Sequence, residues 1–297
     1  MSSFGETMRQ IRLKKGLTQK RLYQEILSKS YAIRFEQGNH EISFFLLQQI
    51  LARFPMDLAE FLYIHRGYRP DETEWFYAGF LHWGNRTDLQ ALRQFKQEYL
   101  VRYPHSEQQA IRVLQLELRL SQLAYYQASG KVLGDTVPET IKRPVTELLA
   151  AIQSWTIEDI RFASNTMDLI TSEDLTLYFR TIMASLQRYR EFTPGKSIIC
   201  VFLINAIHQV IFADELALAT QLLASLAEFS QDETQMFYRN YAEFYAGIVQ
   251  LLQGNLAAQA RSDQAITCFR QLNYQHHAQL ATATLNSARQ LYESRRS

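Results

Sequence analysis

Glycine and proline are scarce, 11 and 6 among 297 residues. With so few turn-makers and few β-branched runs, a many-stranded architecture is disfavoured, and the abundance of Leu, Ala, Gln and Glu makes all-α the expected class. Cysteine is limited to Cys200 and Cys268, which cannot build a disulfide framework. A reducing, cytoplasmic location is expected, with both thiols as small core residues and a redox-sensing role as the alternative. The N-terminus lacks a basic segment followed by an apolar run, so no signal peptide is expected. The most apolar stretch, 197–213, is interrupted by Asn205, His208 and Gln209. It is short for a membrane span and reads as a buried core helix, so no membrane partner is expected.

Chemistry-bearing motifs are missing too. There is no Gly-x-Ser-x-Gly, His-Glu-x-x-His or Gly-x-Gly-x-x-Gly, and Gly130-Lys131-Val132 reads as a plain loop rather than a phosphate cradle. His276 and His277 are adjacent and diverge on a helix, whereas a metal pair needs i, i+4 spacing. The chain is therefore expected not to be an enzyme and to carry no metal or cofactor.

What is present is a charge asymmetry hidden in a net charge of +1. Residues 1–66 hold ten Lys or Arg against six acids, while the remainder holds 21 against 24. A small basic head suits phosphates, and the acidic remainder does not. The expected organisation is a DNA-binding domain over 1–66, a turn-like linker over 67–72 and a helical domain over 73–297. Breaks in the last are read near Gly84-Asn85, Pro104-His105, 130–135, Ser154, Thr171-Ser172, Pro194-Gly195, Ala213-Asp214, Ser230-Gln231, Gly254-Asn255 and Asn273. Helix-opening caps are read at Ser106 with Gln109, Thr156 with Asp159, and Thr171 with Asp174. Short loops between helices of similar length require antiparallel neighbours, hence stacked hairpins. The unit Tyr241–Leu272 has Tyr245, Ala246 and Gly247 on one helix, a turn at Gly254, and Ala260, Ala265 and Phe269 on the next. It resembles a tetratricopeptide repeat, and the domain is expected to be a TPR-like right-handed array of helical hairpins.

The stretch Met8–Phe61 reads as five short helices. The first, over 6–15, ends at Gly16. The second follows Thr18 as its cap, the third covers 29–37 before Gly38, the fourth 43–53, and the fifth follows Pro55-Met56. In the third, Ser28, Ala32 and Phe35 share an inner face at i, i+4, i+7 spacing. The opposite stripe holds Ser30, Ile33, Arg34 and Gln37, with Lys29 at the N-terminal end. Arg34 can offer two donors to guanine, Ser30 is adaptable, and Ile33 can meet a thymine methyl. Gln19 and Lys20 open the second helix where a phosphate would lie. The expected DNA-binding residues are thus Gln19, Lys20, Ser28, Lys29, Ser30, Tyr31 and Arg34, with Tyr31 either touching phosphate or flanking the core.

Ile11-Arg12, Gly16-Leu17-Thr18-Gln19, Leu22 and Arg34-Phe35-Glu36-Gln37-Gly38 resemble the helix-turn-helix of the phage repressor and Cro-like (XRE) class. That resemblance implies a structural pair between Arg12 and Glu36. Thr18 to Glu36 is one residue shorter than usual, which the turn or the recognition helix must absorb. The shortening, the run Ser30–Gly38 and the long helical C-terminal domain resemble the Rgg/GadR/MutR family. The resemblance implies a homodimer assembled through its C-terminal domain on promoter DNA with paired half-sites, controlled by a short, often hydrophobic, re-imported signalling peptide on the concave face of the repeats. Asn165, Asn205 and Asn240 sit mid-helix, where Asn needs a compensating partner, and can pair a peptide backbone. Arg161, Arg180 and Arg239 can hold a carboxylate. The alternatives are inter-helix hydrogen bonds for the Asn residues and surface ion pairs for the Arg residues. For the whole chain they are a regulator without an effector, or a repeat scaffold that binds no DNA.

Overall fold

The computed structural model describes residues 3–86, 88–129 and 137–295, with the side chains of Ser129, Ser172 and Arg180 excepted. The loop reading at 130–135 and the side chain of Arg180 lie outside the described residues. The chain is all-helical, with 77% of it in helices and no strand among the described residues. It divides into two compact units at 106/107.

The first unit opens with α1 (Phe4–Lys14), α2 (Gln19–Tyr23), α3 (Lys29–Glu36), α4 (Phe44–Leu51) and α5 (Leu58–His65). Each begins where a short polar side chain accepts the third-position N–H: Ser3, Thr18, Ser28, Ser43 and Asp57 in turn. Such a cap contributes about 1 kcal/mol to an otherwise marginal short helix. Gly16 and Gly38 end α1 and α3 at φ of +65° and +76°, which glycine adopts without a Cβ penalty. Met8, Ile11, Leu22, Ala32, Phe35, Ile50 and Phe61 are buried in one core. Gly5 lets α1 approach the end of α3, since a Cβ there would stand 1.6 Å from the Phe35 carbonyl oxygen. The segment 67–72 lies within this unit: Gly67 and Tyr68 close α5 with positive φ, and Asp71 caps α6 (Glu72–Gly84). That helix pairs with α7 (Leu89–Arg102) through Trp75, Phe76, Phe95 and Tyr99, and the Tyr99 hydroxyl donates to Glu72 at 2.7 Å.

The second unit holds α8 (Gln109–Ser129), α9 (Glu139–Ala150), α10 (Ile157–Asn165), α11 (Ser172–Arg188), α12 (Thr193–Phe212), α13 (Leu216–Phe229), α14 (Met236–Leu252), α15 (Gln259–Gln271) and α16 (Gln275–Ser294). Helices α10, α12, α14 and α16 lie side by side, each packed on the next, and α13 and α15 close the other layer. The expected caps at Thr156 and Thr171 form complete capping boxes. The Ser106 hydroxyl donates to Glu72. The break read near Pro194 and Gly195 falls just before them, over 189–192. Both sit in the first turn of α12, where a missing N–H costs nothing.

In the repeat-like hairpin α14/α15, a Cβ on Gly247 would meet the Ser262 hydroxyl at 2.2 Å, so the small residue opposite it is Ser262. Ala265 and Phe269 are buried as expected, but Ala260 faces solvent. Among the described residues, α12 is the one helix long and apolar enough to cross a membrane. Here its Ile199, Phe202, Leu203, Ala206, Ile207 and Val210 are fully buried against neighbouring helices, as expected of a core helix.

Candidate nucleic-acid interface

The shortened spacing is absorbed by the turn. Helix α2 stops after five residues at Tyr23 and Glu25 takes φ of +69°, while α3 keeps two full turns. Ala32 and Phe35 are 1% and 0% exposed, and Lys29, Ser30, Ile33, Arg34 and Gln37 are all exposed on the opposite side. An exposed stripe with one guanidinium, one amide, one hydroxyl and one aliphatic group offers the range of contacts that major-groove edges take. Ser28 caps α3 and its hydroxyl lies 3.3 Å from that of Ser30.

What fixes α3 is Glu36, 2% exposed, whose carboxylate receives four donors. Arg12 grips it with two nitrogens, Nε to Oε1 at 2.6 Å and Nη2 to Oε2 at 2.7 Å, and its third nitrogen donates to the Leu17 carbonyl at 2.8 Å. The Gln19 amide donates to Oε2 at 2.7 Å, and the Tyr23 hydroxyl to Oε1 at 2.8 Å. Burial alone would raise the Glu36 pKa, but the donors from Arg12, Gln19 and Tyr23 outweigh it and hold the carboxyl below its ordinary range. Burial and the bond to Glu36 push the Tyr23 phenol far upward. Lys20 is exposed, as a phosphate contact requires, whereas the Gln19 side chain turns inward to Glu36. Tyr31 is half-buried, with its ring stacked on His40 and its hydroxyl donating to the Glu41 carbonyl at 2.8 Å. Tyr23 was missing from the sequence-derived set. Its only advance signal is an aromatic at the inner position of α2, and nothing there announces the hydroxyl's partner thirteen residues on.

The array residues expected to hold a peptide fall into two groups. Arg161 and Asn165 lie one turn apart on α10, and Asn205 of α12 reaches the same helix, its amide donating to the Ser164 carbonyl and hydroxyl at 3.1 Å each. Asn165 donates to Gln115 of α8 at 2.8 Å, and Arg161 stands 3.7 Å from Glu158. Asn240 and Arg239 instead face the other layer. Asn240 donates to the Ala265 carbonyl of α15, and Arg239 bonds to Glu243 and to the Ala227 carbonyl of α13.

A polar row, buried at Arg112 and Gln115 and half-buried beyond, accompanies the first group. Arg112, Gln115, Arg119 and Gln122 repeat at i, i+3, i+7, i+10 along α8, one helix face, toward Glu158, Asn165 and Asp168. Burial raises the Asp168 carboxyl, with Arg119 and Gln122 opposing it. That periodicity is visible in the sequence. Cys200 is fully buried, and burial pushes its thiol up to about 12, leaving little thiolate for redox chemistry.

Comparison with known proteins agrees with this arrangement. Residues 93–283 match the C-terminal domain of the HTH-type transcriptional regulator Rgg, and residues 8–61 match a helix-turn-helix family. A protein from Listeria monocytogenes EGD-e described as a transcriptional regulator superposes with a TM-score of 0.84 at 27% identity, covering 97% of this chain and 98% of that one. The SHP pheromone receptor Rgg2 of Streptococcus dysgalactiae superposes at 0.71 with 19% identity, covering 99% and 100%. A bacterial peptide pheromone/receptor complex superposes at 0.67 with 16% identity, covering 97% and 99%. At those last two identities the likeness is one of fold.

Proposed function

The chain belongs to the Rgg family of helix-turn-helix transcriptional regulators, and from that premise we propose that it works in the cytoplasm as a homodimer whose hold on promoter DNA is set by a short hydrophobic peptide. The family assignment makes it a DNA-binding transcriptional regulator. Two copies of α3 would enter successive major grooves about one helical turn apart, or a multiple of it, with Arg34, Ser30 and Ile33 toward base edges and Lys20 and Lys29 toward phosphates. The observation that carries this reading is the exposed polar stripe of α3, backed by a buried carboxylate with four donors. Peptide control is supported by the fold shared with a pheromone receptor and a peptide complex, and by the gathering of Arg161, Asn165 and Asn205. A peptide that binds one arrangement of the dimer more tightly shifts the population toward it.

A specific observation favours a second reading, a regulator without an effector. The amides of Asn165, Asn205 and Asn240 already bond within the fold. Titration of the full chain with a panel of synthetic hydrophobic peptides, read by operator affinity and by thermal stability, separates the two. A saturable response lost in Asn165→Ala supports peptide control. No response across the panel favours the second reading.

A further inference from the structure

The loop from α3 to α4 sets a histidine beside the exposed stripe of α3. Gly38 turns the chain at φ of +76°, and the His40 ring lies back on Tyr31 in the first turn of α3, stacked at 5.5 Å and 11°. The Tyr31 hydroxyl donates to the Glu41 carbonyl at 2.8 Å, which pins the loop one residue further on. At about 100° per residue, Tyr31 borders the stripe on the Arg34 side and Lys29 borders the other. A helix lying in the major groove has a phosphate backbone along each flank.

His40 is exposed, and neither ring nitrogen has a hydrogen-bond partner among the described residues. The other histidine of residues 1–66, His65, is spent on the Thr7 hydroxyl at 2.9 Å. With one ring face covered by Tyr31, the two nitrogens stand at the ring edge and can donate outward. The charged and titratable groups around His40 are the Tyr31 phenol, Lys29 and Arg34 on α3, and Glu41 beside it in the loop. On α1, Glu6 lies against Gly38 and is spent on the Ser3 N–H at 2.7 Å. Among the described residues none of these forms an ion pair with His40.

Resting on the placement of α3 in the groove, we propose that His40 is a proton-dependent phosphate contact, its imidazolium donating to the DNA backbone at the groove edge. Tyr31 is then a positioning residue: it orients the imidazole and holds the loop that carries it. Histidine is the side chain whose charge ordinarily changes between about pH 5 and 8. Binding would take up a proton in that range, so operator affinity rises as pH falls. The added cation releases one more counterion, which steepens the log–log dependence on salt by about 0.9. This input acts within the first unit and is independent of any peptide on the array.

The test uses the full chain and a duplex enriched by the wild-type protein from a random pool. Affinity is measured over a salt series at about pH 8 and at about pH 6, below the melting transition at both. Wild type and His40→Gln share every other titrating group, so the difference between them isolates His40. Between the two pH values, wild type should gain about tenfold in affinity over His40→Gln. Its salt slope should steepen by about 0.9 on acidification, while that of His40→Gln stays constant. His40→Lys, charged at both pH values, should show the steep slope at both. Identical pH and salt profiles for wild type and His40→Gln overturn the contact and leave the groove placement of α3 standing. Failure of the wild-type protein to hold any duplex at low salt sinks that placement, and this contact with it.

Discussion

The hydroxyl of Tyr23 donates to Glu36 Oε1 at 2.8 Å, joining the last residue of a five-residue α2 to the last residue of α3. With the turn between them shortened, this bond and the Gln19 amide tie the two elements of the helix-turn-helix through one carboxylate. Tyr23→Phe keeps the ring against Phe35, where the two meet edge-on, and removes one donor of four. The expected loss is about 1 kcal/mol of stability. Operator affinity should fall while the slope of affinity against salt stays unchanged, because no phosphate contact is touched. Chemical denaturation and a salt series check the two halves.

Arg12→Ala is the harsher change. It leaves Glu36 buried with its cation gone, and breaking a buried pair in this way costs about 3–5 kcal/mol. The first unit should lose its cooperative unfolding transition at ambient temperature, seen by circular dichroism, and DNA binding should go with it. Arg34→Ala, on the exposed side of the same motif, should leave stability within about 0.5 kcal/mol.

Gly5→Ala tests the close approach of α1 to α3. Its methyl would overlap the Phe35 carbonyl oxygen, which is backbone and cannot rotate away. Overpacking of this kind costs about 1–3 kcal/mol, and because α3 is displaced, operator binding should weaken by more than stability alone explains. A melting temperature equal to wild type would contradict the packing described.

Acidification should weaken the array through His208 and His277. His208 lies 3.2 Å from the Tyr245 hydroxyl, and burial holds its pKa below the ordinary 6.5. As pH falls, the unfolded chain takes up this proton first, so the stability due to the neutral imidazole is complete above 6.5 and is lost as pH falls through the lower folded value. His277 of α16 is shifted the same way and adds to the slope, while His65 of α5 gives the first unit a dependence of the same sign. The melting temperature should therefore start to drop as pH falls below about 7, and His208→Gln should flatten that drop without removing it.

These residues also mark how far the sequence could be read. The two faces of α3 were legible because helical periodicity alone decides that Ala32 and Phe35 point one way and Ser30, Ile33, Arg34 and Gln37 the other. The caps at Thr18, Thr156 and Thr171 were legible because they are three-residue chemistry, whereas Ser28, read on the inner face of α3, is its exposed N-cap. Tyr23 and Gln19 were not, since their bond to Glu36 depends on how the short turn brings α2 against α3. Asn205 and Asn240, inside their helices, were rightly read as needing a partner, whereas Asn165 is the last residue of α10. Whether that partner is a neighbouring helix or a ligand is tertiary information, and Asn240 shows it by reaching across to α15. The α8 row of Arg112, Gln115, Arg119 and Gln122 carried a readable period, but its meaning required α10 to lie opposite.

The most direct measurement is selection of duplexes from a random pool by the full-length protein, followed by affinity for the enriched duplex and for a scrambled one, in wild type and in Arg34→Ala. The proposed homodimer predicts an enriched duplex with paired half-sites, bound at least about 10³-fold more tightly than the scrambled one. It predicts about 1–3 kcal/mol of that discrimination lost in Arg34→Ala. A pool with no enrichment at low salt, or a variant that discriminates as well as wild type, would contradict the assignment of α3 to the groove.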